Sequence, residues 1–322
     1  MSDAPPLLEV DSLVKTFPNR NGGGGIHALN HVSFTQRRGE TIGIVGESGC
    51  GKSTLGRTIL QLIRPTSGDV RFLGKQLTLL PDEALRQMRR HMQMIFQDPF
   101  ASLDPRMNVA TLIAEPLVIH RLGTAAEQAT EVARLLETVG LPAEAAKRYP
   151  HEFSGGQRQR ICIARALALH PELIVADEPV SALDVSIQSQ ILNLLNVLKR
   201  DRGLTYLFIS HNLAVVKYVA DTVAVMYLGR IVEMGPAEQI YENPKHPYTQ
   251  SLIAAIPPLQ PGSGHAAPPL QGEAPDPEHP PTGCAFHPRC PHAMARCATE
   301  APKAVDIAPG SGRHAVACHL HD

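Results

Sequence analysis

Apolar residues fall in two periods along this chain. Consecutive or alternating apolar runs bounded by Gly, Pro, Asn or Asp predict strands, and apolar residues recurring every three or four positions predict helices. Leu7 to Phe17 and Ala28 to Gln36 alternate, which predicts edge strands of an antiparallel sheet. Thr41 to Val45, Leu173 to Asp177 and Thr205 to Ser210 are apolar and rich in β-branched residues, the pattern of buried parallel strands. From Pro81 to about Arg165 the period becomes helical, with helices over Leu85 to Met92 and Val109 to Ile119 and a longer one after Thr124. That last helix opens on a capping box, Thr124 with Glu127, and stops at Gly140. Ile187, Ile191, Leu194, Leu195 and Leu198 form a helical stripe of the core-packing kind. Thr222 to Gly235 predicts a hairpin turning at Leu228-Gly229. The fold expected is α/β.

Three motifs sit on this frame. Gly46 to Ser53 reads GESGCGKS and joins the strand ending at Val45 to a helical segment, the setting in which a G-x-x-x-x-G-K-S string is a phosphate-binding loop. Gly46, Gly49 and Gly51 let backbone N–H groups between Glu47, Ser48, Cys50 and Lys52 turn onto the β- and γ-phosphates. Lys52 adds a compact positive charge, Ser53 offers a hydroxyl to Mg²⁺, and Thr54 is placed for the α-phosphate. A bare glycine-rich turn is the bland alternative, and the complete motif with both flanks argues against it. Asp177 ends the run Leu173-Ile174-Val175-Ala176-Asp177 and is expected to hold Mg²⁺ through water. Glu178 follows, and strand alternation points it the other way, toward a water attacking the γ-phosphate. His211, just past the run Thr205 to Ser210, is the one of fifteen histidines placed to donate to a γ-phosphate oxygen.

Ser154-Gly155-Gly156-Gln157 precedes a helix expected to run roughly to His170. S-x-x-Q is a capping box in its own right, and the two glycines also expose donors at the positive end of the helix dipole. A helical insertion separates this segment from the phosphate loop, so a second subunit is expected to complete each site. Phosphate loop, SGGQ and acid pair in this order point to one ATPase class, the ATP-binding cassette.

Length supports one catalytic core plus an appendage, 322 residues being too long for a bare cassette and too short for two. A formal charge of −1 and 4% aromatic residues argue against a nucleic-acid partner. With no signal peptide and no apolar run near 20 residues, the chain is expected on the cytosolic side, reaching the membrane through partner proteins. Composition changes after Ile256. Nine prolines between Pro257 and Pro281 predict an extended arm, so the domains expected are 1–256, with a helical subdomain over about 81–165, and 257–322. Cys50 and Cys162 are expected to be small buried hydrophobes. Cys284, Cys290, Cys297 and Cys318 cluster in the last forty residues, which suggests a soft-metal site, either zinc or an iron–sulfur centre. His287, His292, His314 and His319 are neighbouring candidates, expected to be exposed or outside the ligand set.

From about Leu7 to Pro257 the chain resembles the nucleotide-binding subunit of an ABC importer of the dipeptide/oligopeptide (and nickel) family, on the segments MQMIFQDPFASLDPRM, HEFSGGQRQRICIARALALHPELIVADEPVSALDVSIQ and NPKHPYTQSLIAAIP. The resemblance implies a P-loop NTPase cassette with a RecA-like mixed-sheet core, an antiparallel β subdomain, a helical subdomain and a small Cys-rich C-terminal extension. It implies Phe17 stacking on adenine, Gln97 sensing Mg²⁺ and the membrane partner, and Asp184 spanning the dimer. It associates the four late cysteines with a [4Fe–4S] cluster. The partners implied are a paralogous ATPase in a heterodimer, two transmembrane permeases and an extracytoplasmic substrate-binding protein, at the cytoplasmic face of the inner membrane. Phe153 stands where leucine is commonest before the signature, and Asn212 follows His211 where aspartate is usual.

Overall fold

A computed structural model describes residues 5–18, 25–256, 272–273, 275–308 and 314–322. The chain divides into two compact units, 1–79 with 210–322 and 80–209. Most of the proline-rich arm, and the glycines at 22 to 24, lie outside the described residues.

In the first unit, a four-stranded sheet is ordered Ile26–Gln36, Leu8–Phe17, Ser67–Phe72, Lys75–Gln76. Its antiparallel pairing matches the alternation of apolar residues, with Leu8, Val10, Leu13, Leu29, Val32, Val70 and Phe72 buried. A second sheet runs Val305–Asp306, Ala315–Val316, Arg230–Pro236, Thr222–Tyr227, Thr41–Val45. Ile42 to Val45 pair in parallel with Thr222 to Val225, and the strand Thr41–Val45 is buried at every position, as a strand covered on both faces must be.

The hairpin turns at Leu228 and Gly229, whose φ of 41° and 77° fit the two-residue reversal that matches strand twist. Gly229 N–H donates to Cys50 O at 2.9 Å and Gly229 O accepts from Asn30 N–H at 2.8 Å, so the turn braces the phosphate loop. The helix Leu213–Val219 starts at Asn212, whose Oδ1 accepts from the N–H groups of Ala214 and Val215 at 3.0 and 3.3 Å. Asparagine caps as well as aspartate does, so this departure from the family pattern leaves the helix start intact.

In the second unit, three parallel strands lie in the order Thr205–Ile209, Leu173–Asp177, Met92–Ile95. Helices Val109–Ile119 and Ala125–Thr138 form as the periodicity predicts, the latter on the Thr124–Glu127 capping box with Gly140 just beyond it at φ 70°. The helix expected over Leu85 to Met92 is displaced. It spans Asp82–Met88, Arg89–His91 tightens into a 3₁₀ turn, and Met92 opens the strand that pairs with Leu173. The acids Asp82 and Glu83 suit the helix start, and the sheet takes over the C-terminal apolar residues. The signature helix ends at Leu167, one turn earlier than expected. The helix Val185–Arg202 buries Ile191, Leu192, Leu195 and Leu198.

Candidate nucleotide site and cysteine cluster

The phosphate loop is held by its surroundings at several points. Gly51 has φ 103°, and a Cβ there would lie 2.1 Å from Ala28 O, so no larger residue fits between the loop and the strand Ile26–Gln36. Lys52 is buried, and its Nζ donates to Gly46 O at 2.8 Å and Glu47 O at 2.9 Å. Ser53 and Thr54 follow in the first turn of the helix Lys52–Ile59. Glu47 is tied at four atoms. Its N–H donates to Tyr248 Oη at 2.9 Å, its carbonyl accepts from Lys52, and its carboxylate receives both arms of Arg289 at 2.7 and 3.0 Å. Its amide is therefore spent on Tyr248. Cys50 is buried and its thiol is pushed up by that burial, the behaviour of a packing residue. Phe17 ends its strand half-exposed, with Lys15 Nζ 5.0 Å from the ring centroid. His211 is exposed at the end of the segment after Ile209.

In the second unit, Asp177 is 1% exposed at the end of its strand. Glu178 lies beyond the strand rather than on it, in the left-handed region at φ 48°. Strand alternation therefore does not aim it. Instead its N–H donates to Ile209 O at 2.9 Å, its carbonyl accepts from Ser181 N–H and Oγ–H, and its Oε2 accepts from Gln97 Nε2 at 3.0 Å. A non-glycine residue at positive φ is held there by such contacts.

The signature forms the predicted capping box. Ser154 N–H donates to Gln157 Oε1 at 3.0 Å and Ser154 Oγ accepts from Gln157 N–H at 3.3 Å. The glycines divide the labour. Gly156 is buried, and a Cβ there would lie 2.4 Å from Ile187 Cγ2, so it is needed for helix packing, whereas Ser154 and Gln157 are exposed. Phe153 is buried under the Arg148 guanidinium at 4.5 Å. Asp184 is exposed at the start of the helix Val185–Arg202, and its side chain makes no capping bond.

The four late cysteines line one small enclosed cavity with His246, Phe286 and Met294. Cys284 N–H donates to Cys297 O at 2.8 Å, which closes the loop between them. Burial raises the thiols of Cys284 and Cys290 and pushes Cys318 up to about 11. Of the two expectations for His314 and His319, exposed or outside the ligand set, the second applies, since both are buried. His314 Nδ1 meets Gln239 Oε1 at 3.1 Å and its Nε2 meets Glu233 at 2.9 Å. His319 is likewise committed to Asp322 and Glu300 O. Both rings are engaged by protein groups at both nitrogens, as buried polar atoms require. Among the described residues, the one set of three potential ligand atoms within 4.8 Å of one another is Asp276, Glu278 and His279, outside this cavity. Sulfurs sharing one tetrahedral zinc lie about 3.8 Å apart, from a Zn–S bond of about 2.3 Å.

A glycine-rich loop opening a helix, a buried acid followed by a glutamate bonded to a glutamine, and a serine-capped SGGQ helix define an ATP-binding cassette. The ABC transporter family model matches residues 29–181, and that for the C-terminal region of oligopeptide/dipeptide transporters matches residues 232–297. The chain belongs to the oligopeptide/dipeptide family of ABC transporter ATP-binding proteins, and is an ATPase subunit coupled to transport. It is 50% identical to the oligopeptide transport ATP-binding protein AppF of Bacillus subtilis, over 98% of this chain and 97% of that one. It is also 50% identical to the di/tripeptide transport ATP-binding protein DppF of Pseudomonas aeruginosa, over 92% and 91%. Among solved structures, the dimeric post-hydrolysis cassette MJ0796 bound to ADP and Pi matches at TM-score 0.65 and 29% identity, over 71% of this chain and 98% of that one. The structure of cbiO1 from Clostridium perfringens matches at TM-score 0.66 and 27% identity, over 74% and 92%. Among the described residues no helix is long and apolar enough to cross a membrane.

Proposed function

We propose that this subunit hydrolyses ATP to drive uptake of di- and oligopeptides, acting at the cytoplasmic face of the inner membrane with a paralogous ATPase, two permeases and an extracytoplasmic binding protein. The observation that carries the reading is the near full-length match, at 50% identity, to an oligopeptide transport ATP-binding protein. Each ATP is bound between one subunit's loop, with Lys52, Ser53 and Thr54 on the phosphates and Phe17 on adenine, and the other's Ser154, Gly155, Gly156, Gln157 and Asp184. The buried carboxylate of Asp177 suits a hydrated cation. Mg²⁺ would be held by Ser53, Gln97 and, through water, Asp177, and when bound it offsets phosphate charge. Glu178 accepts the proton of the attacking water, Gln97 orients Glu178, and His211 donates to the γ-phosphate. Closure of the pair pulls on the permeases, and phosphate release reopens it.

The four thiols suit a multi-iron centre better than one zinc, since they share a cavity without converging to zinc spacing and the buried histidines are already engaged. A [4Fe–4S] cluster would be held by Cys284, Cys290, Cys297 and Cys318, and when bound it would cross-link the end of the chain.

The test of the transport reading is reconstitution with the permeases in vesicles, with the binding protein present. ATP-dependent accumulation of a labelled tripeptide is expected. Accumulation of a nickel complex or glutathione instead, with none of peptide, would overturn the cargo.

A further inference from the structure

The C-terminal extension carries a residue that acts on the phosphate loop. Arg289 closes the short 3₁₀ turn His287–Arg289, between Cys284 and Cys290, and its side chain is only 5% exposed. It spans 242 positions to form a two-pronged ion pair with Glu47, Nη1 to Oε2 at 2.7 Å and Nη2 to Oε1 at 3.0 Å. Its Nη1 also lies 3.4 Å from Tyr227 Oη. Tyr227, Tyr248 and Phe286 pack edge-on and tilted around one another, with centroids 4.7 to 5.4 Å apart, which fixes both the tyrosine that takes the Glu47 amide and the segment that carries Arg289.

Glu47 is an acid inside a loop whose chemistry is to bind phosphate. ATP brings about four negative charges, and a carboxylate a few residues from Lys52 opposes each of them while unpaired. A planar guanidinium that takes both oxygens cancels that charge and fixes the carboxylate in one orientation. The loop's anion affinity therefore depends on a residue outside the loop. We propose that Arg289 is a positioning residue for nucleotide, which neutralises and anchors Glu47 so that the phosphate loop accepts ATP.

The inference rests on ATP binding at this loop, and the experiment separates the two. ATP affinity is measured by calorimetry on the full-length protein in a Glu178→Gln background, to suppress turnover, for Arg289→Gln, Glu47→Gln and the double variant, with thermal melting of each. Arg289→Gln is expected to weaken ATP binding on the order of ten-fold, the size of a lost charged hydrogen-bond pair, and ADP less, because ADP carries less charge. Adding Glu47→Gln is expected to restore affinity to within about three-fold of the parent, because no charge then needs cancelling. Equal weakening in both Glu47 backgrounds, or a lowered melting temperature with unchanged affinity, would make Arg289 a packing residue only. If Arg289→Gln does not fold, Arg289→Lys, which keeps the charge and loses the two-pronged geometry, is expected to weaken ATP two- to five-fold, and parental affinity there would overturn the proposal. Failure of the parent protein to bind ATP would instead sink the reading of the site.

Discussion

Gln97 Nε2 donates to Glu178 Oε2 at 3.0 Å, and the glutamate that receives this bond holds its backbone at φ 48°. The side chain is thus fixed from two directions, by a neighbour's amide and by its own uncommon backbone. An acid that merely capped a helix would need neither, and the next helix begins seven residues later at Val185.

Glu178→Gln is expected to keep ATP affinity and lower turnover by about 10²-fold or more, since it keeps shape and removes the proton acceptor. Phosphate release in the assembled transporter checks this, with the matching substitution also made in the paired subunit so that its site does not mask the loss. Turnover at the parental rate would refute the role.

Gly156→Ala is expected to destabilise the protein by about 1–3 kcal/mol, the range for overpacking a close contact. The cause is the 2.4 Å approach of a Cβ to Ile187 Cγ2. Denaturant unfolding measures it, and Ile187→Ala should recover part of the loss by clearing that methyl. Full stability of Gly156→Ala alone would show that the helices yield.

Acid should destabilise the C-terminal region in two steps. Burial holds the His246 imidazole down to about 4, although Glu233 opposes this. Below the unfolded value of about 6.5 the unfolded chain takes a proton that the fold refuses, so stability falls as pH drops from about 6.5 to 4, by up to about 3 kcal/mol. Burial pushes Glu233 up, but hydrogen bonds from His314 and the His246 and Lys245 amides outweigh it and hold the carboxyl low, so its contribution is lost at still lower pH. His246→Asn keeps an acceptor for Tyr248 N–H, now met at 3.1 Å, and should flatten the upper step of a stability curve against pH. An unchanged slope would exclude His246 as its source.

Protein purified without oxygen is expected to be brown, to absorb at about 400 nm as thiolate-bound iron does, and to lose colour on Cys290→Ser. Zinc without iron on metal analysis would reject the cluster.

Local chemistry made much of this molecule readable in advance. Ser154 with Gln157, Thr124 with Glu127 and the turn at Leu228-Gly229 are settled by a few adjacent residues, and each forms as its local signals dictate. Met92 fails that test because its strand exists only through pairing with Leu173, far along the chain. Glu178 was visible as an acid after a strand, but its left-handed backbone is imposed by Ile209 and Ser181. Arg289 gave no signal at all. Nothing near PRCPH says that an arginine will meet a residue of GESGCGKS, because that meeting is made by the packing of the whole unit.

Reversals between strands are ordinarily good hosts for grafted peptides, since a loop tip costs little to lengthen. The tip at Leu228-Gly229 is a poor host, because it serves as a strut bonded to Cys50 on one side and Asn30 on the other. A reporter spliced there would slacken the ATP cradle, and epitope placement on this subunit should begin elsewhere.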